Sequence, residues 1–301
     1  MTTKNRGCFP FSIGTNIFEG PVPRLERSHL AALRAAGVEY YELHVGYRFA
    51  LGPAGQPWHI TASFVNLEDE AFLDDVAHWQ SELGLRAVQM HAPCSDTALD
   101  FAALDESGRQ AASNLLATAI RAAARLDIPA VVVHPHLTDT AEFGGKERIL
   151  TQLRRTLVER LAEAVKARTC LALENLPHWP NGLNLEDLRV LCEELDSPAV
   201  GLCLDTGHAR LAGGQPAAGV RACGPWLRAL HLHDNFGQGD EHLLPFDGDS
   251  DWSGFVAALG EVGYPGTLNL ELTYGPYQDK YASPRALIEE AMRRVEELYG
   301  R

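Results

Sequence analysis

No apolar run in this chain approaches the roughly 20 residues that a membrane-spanning helix requires. The first residues, MTTKNRGCFPFSIG, start basic but lack a long apolar core and a small-residue cleavage site, which reads as the absence of a signal peptide. No C-x-x-C pair occurs. The six cysteines (Cys8, Cys94, Cys170, Cys192, Cys203 and Cys223) are scattered, several inside apolar runs, so they read as buried free thiols of a reducing cytoplasm rather than a disulfide framework. No basic stripe with interleaved aromatics is visible, and the formal net charge is −14. Proteins that bind nucleic acid usually concentrate Lys and Arg to neutralise phosphates, so a nucleic-acid partner is not expected. The chain also lacks linkers and low-complexity segments, and no G-x-G-x-x-G follows its first apolar segment.

What is present is alternation. Short apolar segments alternate with longer amphipathic ones from end to end. The candidate strands are Phe11–Ile17, Glu39–Val45, Ala87–His91, Ala130–His134, Cys170–Glu174, Val200–Asp205, Leu227–Leu232 and Thr267–Leu272. Near-continuous apolar runs such as AVVVH suit a parallel sheet buried on both faces. The intervening segments read as helices. Residues 146–168 carry Ile149, Leu153, Leu157 and Leu161 at helical spacing. Asn184 and Ser283-Pro284 are start signals, and Gly37, Gly84 and Gly263 are stop signals. Eight such units predict an α/β fold, a single closed (β/α)8 TIM barrel over residues 1–301. A doubly wound sheet is the alternative, but it usually carries a Gly-rich phosphate loop, and the first turn here, IGTNIFEGPVP, is not one. The long segment 47–64, rich in Gly, Pro and aromatics, reads as a flap over the barrel mouth.

Active sites of such barrels lie at the C-terminal ends of the strands. The third to eighth strands end, in order, in His91, His134, Glu174, Asp205 with His208 after it, His231, and Glu271. Asp240 and His242 follow on the loop after the seventh. Taken singly, each has a plainer reading. A strand-end His is often just hydrogen-bonded, Asp205 can cap the next helix, Asp249 and Asp251 suit a helix start, and Trp252 suits the core. Six consecutive strands ending in ligand-type residues are harder to explain that way. Buried carboxylates aimed at one another repel unless a cation neutralises them, and imidazole with carboxylate is what borderline divalent ions bind.

The order HAP, HPH, LEN, DTGHA, HLHD, DEH and LEL resembles the xylose isomerase-like barrels, the superfamily of sugar-phosphate isomerases and epimerases and of endonuclease IV. The resemblance runs from about Phe11 to the last helix. It implies one metal held by Glu174, Asp205, His231 and Glu271. It also implies further metal or substrate contacts at His91, His134, His208, Asp240 and His242, the positions matching the additional zinc ligands of the endonuclease IV branch. The segment after DEH, LLPFDGDSDW, is closer to the isomerase-like members, although Phe246 and Asp247 replace part of the usual Pro-Gly. His178-Trp179 resembles a sugar pocket in which the Trp179 ring packs against a sugar face.

The reading is therefore a metal-dependent sugar or polyol isomerase or epimerase acting on a small carbohydrate. One divalent ion (Mn, Zn, Co or Mg) is expected, with room for up to three. Glu174 and Glu271 serve as acid and base groups as well as ligands, and His208 polarises a substrate oxygen. The rivals are an endonuclease IV-like zinc phosphodiesterase acting on abasic DNA, a dehydratase or lyase on an oxidised sugar, and a non-catalytic metal or sugar binder. The expected location is cytoplasmic, without membrane contact, and a homo-oligomer is left open.

Overall fold

Strands that are apolar on both sides need cover on both sides, and a ring of parallel strands inside a ring of helices supplies it. The computed structural model describes residues 9–18, 24–50, 59–93, 100–136, 145–177 and 183–299, with only the backbone at 47–50 and 59–63. Its principal sheet has eight strands: β1 (Phe11–Gly14), β2 (Tyr40–His44), β3 (Arg86–His91), β4 (Ala130–Val133), β5 (Cys170–Glu174), β6 (Val200–Asp205), β7 (Leu227–His231) and β8 (Leu268–Leu270). Each pairs in parallel with the next from β1 to β7, and β1 also pairs with β8. A parallel bridge from Leu232 to Leu270 joins β7 to β8 and nearly closes the barrel.

The helices are α1 (Arg27–Ala35), α2 (Glu70–Leu83), α3 (Glu106–Leu126), α4 (Lys146–Ala167), α5 (Leu185–Leu195), α6 (Thr206–Leu211), α7 (Pro216–Cys223), α8 (Phe255–Val262) and α9 (Pro284–Leu298). Their ends follow local chemistry. Asn184 Oδ1 accepts the Asp187 N–H, and Ser283 Oγ accepts the Ala286 N–H. Gly84 and Gly263 stop α2 and α8 in the left-handed conformation that a side chain disfavours. Among the described residues, no helix is long and apolar enough to cross a membrane.

Two expectations need correction. The first strand stops at Gly14, and Thr15–Phe18 forms a 3-10 turn. Tyr47–Ala50 pairs antiparallel with His59–Ser63, so the stem of the expected flap is a hairpin; residues 51–58 lie outside the described residues.

Side-chain alternation along the strands positions the site. Leu171 and Leu173 on β5, Leu202 and Leu204 on β6, and Leu230 on β7 join the large core between sheet and helices. The alternate residues Val132, Ala172, Cys203 and Ala229 form a separate small cluster on the barrel's inner side. Two residues further along the same faces stand His134, Glu174, Asp205 and His231. A strand's period of two therefore lifts these groups to the mouth over a floor of small side chains.

Candidate metal centre

Donor atoms of Glu174, Asp205, His231 and Glu271 all lie within 4.8 Å of one another, and all four residues are buried. His231 Nδ1 stands 3.3 Å from Glu174 Oε1, 3.3 Å from Glu271 Oε2 and 4.0 Å from Asp205 Oδ2. Neither His231 Nδ1 nor Glu174 Oε2 has a hydrogen-bond partner, although both atoms are buried. A buried orphan of this kind costs about 1–3 kcal/mol, and more when charged. A divalent cation bound by these atoms removes that cost, so the residues fit the ion that the sequence implied.

The imidazole protons are assigned by chemistry, because a carbonyl or carboxylate oxygen can only accept. His231 Nε2 donates to Glu42 Oε1 at 3.0 Å, so Nδ1 faces the three carboxylates. Burial lowers this imidazole, but Cys203, Glu271, Glu42 and Glu174 outweigh it and hold it well above its usual range, so Nδ1 carries a proton that a bound cation would displace. His91 Nδ1 donates to the Ala92 carbonyl at 2.8 Å, His208 Nδ1 to the Asn175 carbonyl at 2.8 Å, and His242 Nδ1 to the Glu271 carbonyl at 3.0 Å. Each of these three turns its Nε2 inward. A ligand imidazole fixed through its other ring nitrogen is the usual outer-shell arrangement of metal sites.

Two further groups flank the central four. On one side, His91 Nε2 and His134 Nε2 are 3.2 Å apart, and Glu174 Oε2 lies 3.5 Å and 3.3 Å from them. On the other, Asp240 Oδ2 lies 3.2 Å from both His208 Nε2 and His242 Nε2. All nine sequence-derived candidates on strands and loops thus meet at one mouth. Trp179 lies outside the described residues.

The electrostatics show what the cluster asks for. Burial raises the Glu174 carboxyl, but His231 and His134 outweigh it and hold the group well below the usual carboxylate range. Burial lowers His208, but Asp205, Asp240 and Glu174 outweigh it and hold the imidazole well above its usual range. His242, also lowered by burial, is raised by Asp240 and Glu271 to about 9. Carboxylates pushed down and imidazoles pushed up mean that protons supply the positive charge the cluster needs; a cation supplies it instead when bound.

The plainer readings hold in part. Asp205 is an N-cap as well as a cluster member: its Oδ1 accepts the His208 N–H and its Oδ2 accepts His233 Nε2–H at 3.0 Å. Asp249 pairs with Arg210, Asp251 accepts the Ser253 N–H, and Trp252 is buried. Sequence reasoning missed Glu42, fully buried and bonded to both His231 and Asn269, and assigned no role to His233. A signal existed for Glu42: in YYELH it shares with His44 the face opposite Tyr41 and Leu43.

A family profile described as xylose isomerase-like TIM barrel matches residues 30–298. Uncharacterized protein y4fM of Sinorhizobium fredii is 33% identical over 184 residues, which are 60% of this chain and only 59% of that protein's length. A solved D-tagatose 3-epimerase-like protein superposes with a TM-score of 0.74 at 23% identity, covering 97% of this chain and 98% of its own. A D-psicose 3-epimerase, solved in the presence of D-fructose, gives a TM-score of 0.74 at 14% identity, covering 97% and 100%. At these identities the superpositions speak for the fold. Barrel, strand order and profile agree, and the chain belongs to the xylose isomerase-like TIM barrel family.

Proposed function

We propose that the protein is a divalent-metal-dependent isomerase or epimerase of a sugar or polyol. The observation that carries this is the buried, unpartnered pair His231 Nδ1 and Glu174 Oε2 among the carboxylates of Glu174, Asp205 and Glu271. The substrate class is supported by the superposed structures, which are named as sugar epimerases or epimerase-like proteins. Glu174, Asp205, His231 and Glu271 would hold the ion. When bound, it supplies positive charge to a substrate carbonyl and the neighbouring hydroxyl, which makes the adjacent C–H more acidic.

The chain's own groups do the rest. Glu174 Oε1 and Glu271 Oε2 each lie 3.3 Å from His231 Nδ1, so a substrate lodged at the mouth would meet two carboxylates, one to take a carbon-bound proton and the other to return it. Low carboxylate affinity for protons keeps the accepting group ionised. His208, whose Nε2 meets Asp240 Oδ2 at 3.2 Å at the edge of the same cluster, would polarise a substrate oxygen when no outer ion is bound.

The test is incubation of metal-loaded protein with a panel of ketoses, aldoses and their phosphates in D₂O, read by NMR. Deuterium should enter at a carbon next to a carbonyl. Glu174→Gln, checked for metal content, should reduce turnover more than substrate binding. A second reading, a phosphodiesterase, draws on the two flanking groups, since adjacent cations suit phosphoryl transfer. Cleavage of an abasic-site duplex without deuterium uptake by any sugar would establish it instead.

A further inference from the structure

The loop between β7 and α8 supplies Asp240 and His242, yet it contains no regular element. Two of its non-glycine residues, His242 and Phe246, adopt left-handed backbone angles, φ 50° and 73°. Such residues are strained by about 1 kcal/mol or more each, so something must hold them. Tertiary contacts do so: His242 Nδ1 donates to the Glu271 carbonyl, the Tyr277 hydroxyl accepts the Leu244 N–H, Arg294 pairs with Asp247, and one buried carboxylate gathers four further donors. Asp234 is fully buried. Its Oδ1 accepts N–H groups from Asn235 at 2.9 Å and Ser250 at 3.2 Å. Its Oδ2 accepts the Phe246 N–H at 3.0 Å and Trp252 Nε1–H at 3.1 Å. Its backbone also pairs both ways with Leu243, at 2.8 Å and 2.9 Å, directly beside His242. A Cβ at Gly248 would overlap Asp234 Oδ1, so glycine is required there for the loop to close on the carboxylate. Donors from both arms of the loop therefore converge on Asp234.

We propose that Asp234 is a positioning residue that decides whether the outer group His208, Asp240 and His242 can hold an ion, and hence how many cations the centre carries. The inference rests on the metal reading above but not on the reaction. His208 is fixed by α6 and by the Asn175 carbonyl, with Asn235 Nδ2 at the start of the loop bonded to the Gly207 carbonyl beside it. Asp240 and His242 come to it only if the loop folds back, and the four donors gathered on Asp234 join the loop's two arms. Asparagine at this position has nearly the same shape, but its NH₂ must face one of the two donor pairs. Whichever way the amide turns, two of the four hydrogen bonds are lost.

The experiment uses the full chain, stripped and titrated with Co²⁺ as the probe. Ions per chain are counted by mass spectrometry, and visible bands report each coordination shell. Wild type should take up at least two ions. Asp234→Asn should weaken the outer ion about tenfold or more, as loss of a supporting shell does, with the tightest ion's affinity and spectrum unchanged. Gly248→Ala, which displaces the same carboxylate by overlap, should do likewise and covers the case in which Asp234→Asn fails to fold. Equal stoichiometry and affinities in wild type and a folded variant would overturn the proposal. So would loss of the tight ion together with the outer one, or a single ion per chain in wild type. A wild-type protein that loads as described but exchanges no deuterium with any sugar overturns the isomerase reading and leaves Asp234 in place.

Discussion

Replacing Glu42 by glutamine removes one charge from the barrel interior without changing volume, and the hydrogen bonds around it set the cost. Glu42 Oε1 accepts His231 Nε2–H at 3.0 Å, and Oε2 accepts Asn269 Nδ2–H at 2.7 Å. Burial raises this carboxyl, but His231, His91 and His44 outweigh it and hold it down to about 2, so it is anionic across the working range. A glutamine amide has two orientations here. With its oxygen toward His231, its NH₂ meets the Asn269 NH₂, so Asn269 must turn over and Ser12 Oγ must swing its proton to Thr267 to accept from it, leaving a neutral contact where a charged one stood. With its NH₂ toward His231, the neutral imidazole must keep its proton at Nδ1, and the lone pair that a cation would take there is gone. Either outcome costs a charge-assisted hydrogen bond worth about 1.5–3 kcal/mol. The corresponding loss for a metal's supporting shell is about 10- to 100-fold in affinity, or roughly 1.4–2.8 kcal/mol. The assay is competition for Zn²⁺ against a chromophoric chelator, with circular dichroism to confirm folding. A folded Glu42→Gln protein whose affinity stays within about threefold of wild type would show that His231 owes its tautomer to something other than Glu42.

Stripping the metal with chelator should lower the melting temperature, and restoring it to about 100 times its dissociation constant should return about 2.7 kcal/mol, measured by scanning calorimetry. The pH dependence has a definite sign. His242 is raised from 6.5 to about 9, so its stabilising contribution to the metal-free protein is complete below about pH 6.5 and lost as pH rises through 9. Metal-free protein should accordingly lose thermal stability across that window, and metal binding within it should release protons, read by comparing binding heats in two buffers. Gly207→Ala should destabilise the fold by more than about 2 kcal/mol in urea melts, since its Cβ would overlap the fully buried His233 ring; an unchanged midpoint would mean that the ring has somewhere else to go.

Local pattern marks the eight barrel strands, though not the hairpin at 47–63, and the face of each that carries chemistry. Apolar runs, glycine stops and Asn or Ser caps are local signals, and the period of two along AVVVH, LALEN and GLCLD marks His134, Glu174 and Asp205 as one set without any knowledge of tertiary contacts. The order of motifs then identified the barrel. The partners of these groups come from long-range contacts. Glu42 meets His231 across 189 residues of chain, a pairing that no local pattern encodes, and which ring nitrogen of His231 faces the carboxylates depends on that pairing. The shape of the loop after β7 was equally hidden, because it is set by the convergence on Asp234 of backbone N–H groups and the Trp252 indole, not by any repeat in the sequence. Periodicity is a property of the chain's own geometry, whereas proton positions and loop closure are settled by groups brought together only when the barrel closes.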